Sequence, residues 1–281
     1  MPGTTPKARA IGAELRRARE SAGYGLRELA TELGTSHASL SRWETGQRAP
    51  RPEDVAVFLT AVNAPAEQRE ELIELARDPD GSHWLSINMP DRQRQLATLL
   101  EIERDATAIT AVSPLLIPGL LQTADYARAM MIAGDVDRDE IDMRVAVRVG
   151  RREAITRRNP ARLSAVIWEP VLYQEIGGHA LMADQLQTLH DYGHRDNVEL
   201  RVIPTRCPWH PGLEGPFALT EFDDRDAVVH LENRISGLFL HDPDEVKRYR
   251  DAVNKVREVA MGPSDSLRLV ADVINSKETT A

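Results

Sequence analysis

The chain has 281 residues, 42% of them hydrophobic and 28% charged, with a net charge of −9. That composition excludes a disordered chain and suits about two globular domains. No run approaches the ~20 apolar residues of a membrane-spanning helix, the N-terminus lacks a signal-peptide core, and the single cysteine, Cys207, allows no internal disulfide, so a cytoplasmic protein with no membrane partner is expected.

Ile11, Leu15, Ala18 and Ala22 recur at helical spacing and predict a first helix closed by Gly23. Leu26, Leu29, Ala30 and Leu33 predict a second, stopped by Gly34. Ser36 can cap a third, which buries Leu40 and Trp43 and ends at Gly46. Beyond the breakers Pro50 and Pro52, a fourth helix carries Val55, Phe58, Leu59 and Val62. Pro65 opens a fifth, running to about Arg77. The turn-rich stretch Asp78-Pro79-Asp80-Gly81-Ser82 is the expected linker, so residues 1–78 read as an all-α, five-helix domain.

Residues 83–276 read as an α+β domain with a small sheet. Leu96, Leu99, Leu100 and the run from Ile102 to Ile109 predict a helix. The apolar segment from Pro114 to Tyr126, with Pro118 and Gly119 inside it, reads as an interface loop or pocket lid. Tyr126 to Met131 predicts a helix, and Arg138 to Arg158 a long charged one. The period then changes, and strands are predicted at 163–168, 198–203, 217–222 and 228–231. A helix from Met182 to Tyr192 falls between the first two, and helices near 244–260 and 264–274 follow the last. Lys277 to Ala281 are expected to fray.

Charge is unevenly distributed. Residues 1–52 hold nine basic and five acidic side chains, a net +4, which leaves −13 on the remainder. A cationic head on an acidic body suits a reader of phosphate backbones. Within the head, Leu40 and Trp43 lie three apart and pin the third helix to the bundle. Its other face then offers Ala38, Ser41, Arg42 and Thr45, with His37 at the N-terminal end. Two short helices around a tight turn at Gly34-Thr35, with the second free at its N-terminal turn, form a helix-turn-helix that can enter the major groove of double-stranded DNA. There Arg42 can donate two hydrogen bonds to guanine, His37 can meet a base edge, and Ala38 can pack on a thymine methyl. Ser36 can bind phosphate or cap the helix, and Arg48 and Arg51 can clamp the backbone.

The segment from Ile11 to Ala64 resembles the Xre/Cro/lambda-repressor-like helix-turn-helix family through Leu15, Arg19 and Gly23, Glu28-Leu29-Ala30, Ser36, Leu40 to Glu44, Gly46 and Pro50. The resemblance implies a structural ion pair between Arg19 and Glu44. Relatives often carry a phosphate-contacting Gln where Leu26 stands here, so that contact is expected either to be missing or to be made by Arg27. The remainder, His83 to Ile274, is similar to the uncharacterised C-terminal domain that follows such heads in many actinobacterial regulators. The shared elements are Pro118 to Arg128, Arg148 to Arg152, Trp168-Glu169, Gly177-Gly178, Gln185-Leu186, Val202 to Pro204 and Gly215 to Phe217. The resemblance implies a transcriptional regulator, expected as a homodimer, whose second domain takes a small-molecule effector or a small partner protein. The rival reading is an antitoxin-like protein that sequesters a small partner and represses its own operon.

Other constellations carry less. His190 and His194, with Cys207 and His210, offer four possible zinc ligands, but the helix ends between the histidines and no Glu stands within the pair. Glu169, Glu175, Glu214, Glu221 and Glu232 lie near strand ends with no two brought together by sequence. Trp168, Tyr173, Trp209, Phe217 and Phe222 are expected mainly in the core. No glycine motif cradles a phosphate. Catalytic residues, metal and cofactor are therefore not expected, and the chain reads as a non-enzyme.

Overall fold

The computed structural model describes residues 5–78, 83–86, 89–233 and 236–280. Of the expected linker 78–82, residues 79–82 lie outside the described residues. The chain packs into two compact units. One comprises Met1–Leu99 with Asp224–Asp226 and Asn233–Pro243; the other comprises Leu100–Asp223, Ala227–Glu232 and Asp244–Ala281.

The first unit opens with α1 (Pro6–Ser21), where the Thr5 hydroxyl accepts from Ala8 N at 3.0 Å and Pro6 supplies a preset φ. Next come α2 (Leu26–Glu32) and α3 (His37–Glu44). Each of the first three helices is followed by a left-handed glycine: Gly23, Gly34 and Gly46. Then follow α4 (Pro52–Ala61) and α5 (Ala66–Ala76). Ile11, Leu15, Leu29, Leu40, Phe58, Leu59 and Leu72 are all sealed from solvent and form one core with Trp43. Phe58 and Leu59 are adjacent on α4, so that helix is embraced on two sides.

Beyond the head, β1 (His83–Ser86) precedes α6 (Met89–Asp105) and β2 (Ala108–Ser113). The expectation that helix continues to Ile109 is corrected here: α6 stops at Asp105 and Ile109 lies in β2. β2 carries buried residues on both faces, Ile109 on one and Thr110 and Val112 on the other, because helices cover both faces of the sheet, so it lacks the alternation that marks a half-exposed strand.

The chain continues through α7 (Ala124–Ala133), α8 (Arg138–Gly150), α9 (Glu153–Thr156), β3 (Arg162–Trp168), α10 (His179–Gly193) and β4 (Val198–Ile203). It closes with β5 (Phe217–Glu221), β6 (Val228–Glu232), β7 (Gly237–Leu240), α11 (Pro243–Val259) and α12 (Pro263–Thr280). In the second unit the strands follow the order β6-β5-β2-β3-β4. β2, β3 and β4 are parallel, joined by helical crossovers, and β5 and β6 add antiparallel. β1 and β7, absent from the sequence reading, pair antiparallel in the first unit.

One face of the β2-β3-β4 sheet presents Ile109, Leu163, Ala165, Ile167, Leu200 and Val202 to a core that includes Leu186 and Leu189 of α10 and Val270 of α12. Three further expectations are corrected by packing. The long helix over 138–158 breaks after Gly150, where Arg151 turns inward to pair with Glu103 at 2.7 Å. Much of Pro114 to Tyr126 packs into the core, although Leu115 is 60% exposed. Ile117, Leu121 and Tyr126 are buried there, and Gln185 spans to the segment by accepting from Thr123 N at 2.7 Å and donating to Leu121 O at 2.9 Å. The expected frayed tail is helical to Thr280, with Lys277 buried and its ammonium 2.7 Å from Glu175. No helix among the described residues is long and apolar enough to cross a membrane.

Candidate nucleic-acid interface

Helix α3 is held from behind and left open in front. Leu40 and Trp43 anchor it to the core. Across the crossing with α1, Gly12 lies so close that an added Cβ would stand 2.4 Å from the Trp43 carbonyl oxygen and 2.9 Å from that of Glu44. Gly46 closes the same contact from the other side, at φ 66° with its Cβ direction 2.8 Å from the Arg9 Cα. Glycine at both positions lets the two backbones approach, so α3 has one seat on α1.

A buried ion pair ties the C-terminal end of α3 to α1. Arg19 Nε donates to Glu44 Oε1 at 2.7 Å and Nη2 to Oε2 at 2.8 Å, while Nη1 donates to the Tyr24 carbonyl at 2.8 Å. The two side chains are 10% and 5% exposed. The hydrogen bond to Glu44 raises the Arg19 pKa above its ordinary value. At the other end of α3, the Ser36 hydroxyl accepts from Ser39 N at 3.0 Å and so caps the helix. Ser36→Ala is expected to remove about 1 kcal/mol of stability, read as a lowered urea midpoint; an unchanged midpoint would show that the cap contributes nothing.

On the open side Ser36, His37, Ala38 and Arg42 are exposed and Ser41 is half-buried. Arg42 Nε donates to the Ala38 carbonyl at 3.1 Å, which lays the guanidinium along the helix surface. Most basic residues of the head fall into two classes. Arg16 pairs with Glu20, Arg17 with Glu14 and Arg19 with Glu44. Arg51 also belongs to the paired class, since it donates to both oxygens of Asp54 at 3.0 and 3.1 Å beside the start of α4. Arg27, Arg42 and Arg48 are exposed and have no carboxylate salt bridge among the described residues. The Arg51–Asp54 engagement and the role of Gly12 were both missed in the sequence. The first was readable from the three-residue spacing before a helix start. The second depends on what crosses α1.

Outside the head, the carboxylates of interest have separate partners. Glu169 accepts from Thr205 N at 2.7 Å, Glu175 takes Lys277 and His179, and Glu221 takes Arg250 at 3.0 Å. His190 and His194 meet edge to face at 4.5 Å, and His210 is buried without a hydrogen-bond partner on either ring nitrogen, so burial lowers its pKa. Among the described residues no three His, Cys, Asp or Glu side chains group as metal ligands. Of the aromatics expected in the core, Phe217 is buried and meets Tyr249 at 5.0 Å, whereas Tyr173 and Trp209 are 52% and 66% exposed. Both follow strand ends in connecting segments, where the chain turns outward.

Residues 10–72 match a helix-turn-helix domain, and residues 96–272 match a domain of unknown function, DUF5753. No curated protein matches the chain. Among solved structures, the archaeal chromatin protein TrmBL2, reported for its mode of DNA binding, aligns over 89% of this chain and 93% of its own. Its 14% identity and TM-score of 0.31 are too low to indicate a shared fold. The DUF5753 match spans more than half of the 281 residues, so the chain belongs to the DUF5753 family and carries that domain behind a helix-turn-helix head.

Proposed function

We propose that the chain is a non-enzymatic, sequence-specific DNA-binding transcriptional regulator of the Xre type. Support comes from the helix-turn-helix match and above all from one observation. The exposed cations Arg27, Arg42 and Arg48 lie on α3 or on the segments that flank it in the chain and make no salt bridge among the described residues, whereas Arg16, Arg17, Arg19 and Arg51 are each paired with a carboxylate. In this reading α3 enters the major groove, with Arg42 on guanine, His37 on a base edge, Ala38 on a thymine methyl and Ser41 on the same face. Ser36, Arg27 and Arg48 take phosphates, and Arg51 joins them only on leaving Asp54. Two chains in a two-fold dimer set their heads on half-sites about one duplex turn apart, ~34 Å. The DUF5753 domain takes an effector or a small partner protein.

Fluorescence anisotropy on the DNA upstream of the protein's own gene tests the reading. Arg42→Ala is expected to lower specific affinity about 10- to 100-fold and to relax preference at one base position. Arg48→Ala is expected to weaken binding to all sequences alike and to flatten the salt dependence by about one unit of slope. Unchanged affinity and preference in Arg42→Ala would overturn the assignment of α3 as the reading helix.

A further inference from the structure

The second face of the sheet in the DUF5753 domain is built differently from the first. Its partner helix α11 is anchored through Tyr249 on Phe217 and Arg250 on Glu221. Here Thr110, Ser164 and Glu199 stand in register on three adjacent strands, and α11 brings Arg250 and Arg257 over them. With Arg162 they line a cavity of about 690 Å³. That volume falls within the range of about 300–1,000 Å³ common to small-molecule sites.

The polar groups of this cavity are only partly consumed by one another: Arg250 pairs with Glu221, and the Ser164 hydroxyl takes Arg257 and lies 3.5 Å from Glu199. Thr110 and Ser164 are each 8% exposed, and buried hydroxyls cost free energy unless bonded. Arg162 has no salt bridge among the described residues. Arg257 donates to the Ser164 hydroxyl at 2.9 Å and stands 3.9 Å from Glu199. The Glu199 oxygen nearest to it already accepts from Arg201 at 2.8 Å. Burial works against the Glu199 carboxylate, but Arg201 and Arg257 outweigh it, so Glu199 is held ionised and keeps acceptor capacity. The lining carries three guanidiniums, Arg162, Arg250 and Arg257, and three carboxylates, Asp196, Glu199 and Glu221; Arg250 is taken by Glu221 and Glu199 by Arg201, which leaves Arg162 without a side-chain partner among the described residues and Arg257 hydrogen-bonded to a neutral hydroxyl.

We propose that this cavity is a binding site for a small polar organic anion. The anion's carboxylate or phosphate meets Arg162 and Arg257, and its hydroxyl groups meet Thr110 and Glu199. The site stands on the cavity geometry alone; its use as an effector site rests on the regulator reading above.

Isothermal titration of the full chain with citrate, 3-phosphoglycerate and glucose 6-phosphate tests the site, with neutral glucose as the control. At least one anion is expected to saturate at one per chain, and glucose is not; comparing citrate with the two phosphates separates a carboxylate site from a phosphate site. Arg162 is exposed and its side chain makes no hydrogen bond or salt bridge among the described residues, so Arg162→Gln is expected to keep the fold and to weaken the anion about 10-fold or more. Thr110→Val, in which no charge changes, is expected to weaken hydroxylated anions by a few-fold. Saturation by none of the anions, or equal affinity in Arg162→Gln, would overturn the site. Upstream-DNA affinity measured with and without the bound anion separates the two readings. Anion binding that leaves DNA affinity unmoved overturns the effector role but not the site. Specific DNA binding without any anion binding overturns the site but not the regulator.

Discussion

Gly12→Ala is expected to lower the melting temperature of the head by on the order of 10 °C. In an open helix the same change would stabilise, since alanine is favoured over glycine by about 0.5–1 kcal/mol. At Gly12 the new methyl would stand 2.4 Å from the Trp43 carbonyl oxygen and 2.9 Å from the Glu44 one. Both are backbone atoms of α3 and cannot rotate away, so α1 and α3 must separate. Overpacking of this kind costs about 1–3 kcal/mol and sometimes more, which exceeds the propensity gain. Gly150→Ala is the matched control, because no atom lies within 4 Å of its Cβ direction at the end of α8. Calorimetry and amide hydrogen exchange over α1 and α3 read the effect. DNA affinity is expected to fall with it, since α3 loses its seat. A Gly12→Ala chain that melts at or above the wild type would show that the two helices do not cross this closely.

Removing one partner of the Arg19–Glu44 pair is expected to cost about 3–5 kcal/mol, because the survivor keeps a buried charge without its counterion. Glu44→Ala leaves the Arg19 guanidinium, which is 10% exposed, with the Tyr24 carbonyl and the largely exposed Glu20 at 3.5 Å, so its loss is expected at the lower end of that range. Arg19→Ala strands the Glu44 carboxylate, which is 5% exposed. The double variant Arg19→Met with Glu44→Leu removes both charges, so its loss is expected to be smaller than either single loss. Urea denaturation of the three variants supplies the comparison. Single losses below about 1 kcal/mol would mean that the pair behaves as a solvated surface bridge.

Much of the head is legible in the sequence because its elements are closed locally. Gly23, Gly34 and Gly46 take the left-handed conformation that ends a helix, and Ser36 satisfies an amide three residues on. Leu29, Leu40 and Phe58 fall at helical spacing on faces that a bundle must bury. The strands β3 to β6 are readable from their β-branched runs. β2 is not, since both of its faces are buried and its period is erased. β1 and β7 have four residues each and contain no β-branched residue, so neither stands out.

The sequence by itself determined where helices begin and end in the head, which way α3 faces, and that the charge of the first 52 residues opposes that of the rest. These follow from hydrogen bonds and periodicities that span only a few residues. Only the tertiary structure decided that Gly12 is a contact point, because its neighbour is the backbone of a helix two elements away. It alone also set Thr110, Ser164 and Glu199 side by side. Parallel strands can neighbour one another only after long helical crossovers, so residues far apart in the chain share a site through strand register, which no local spacing reveals.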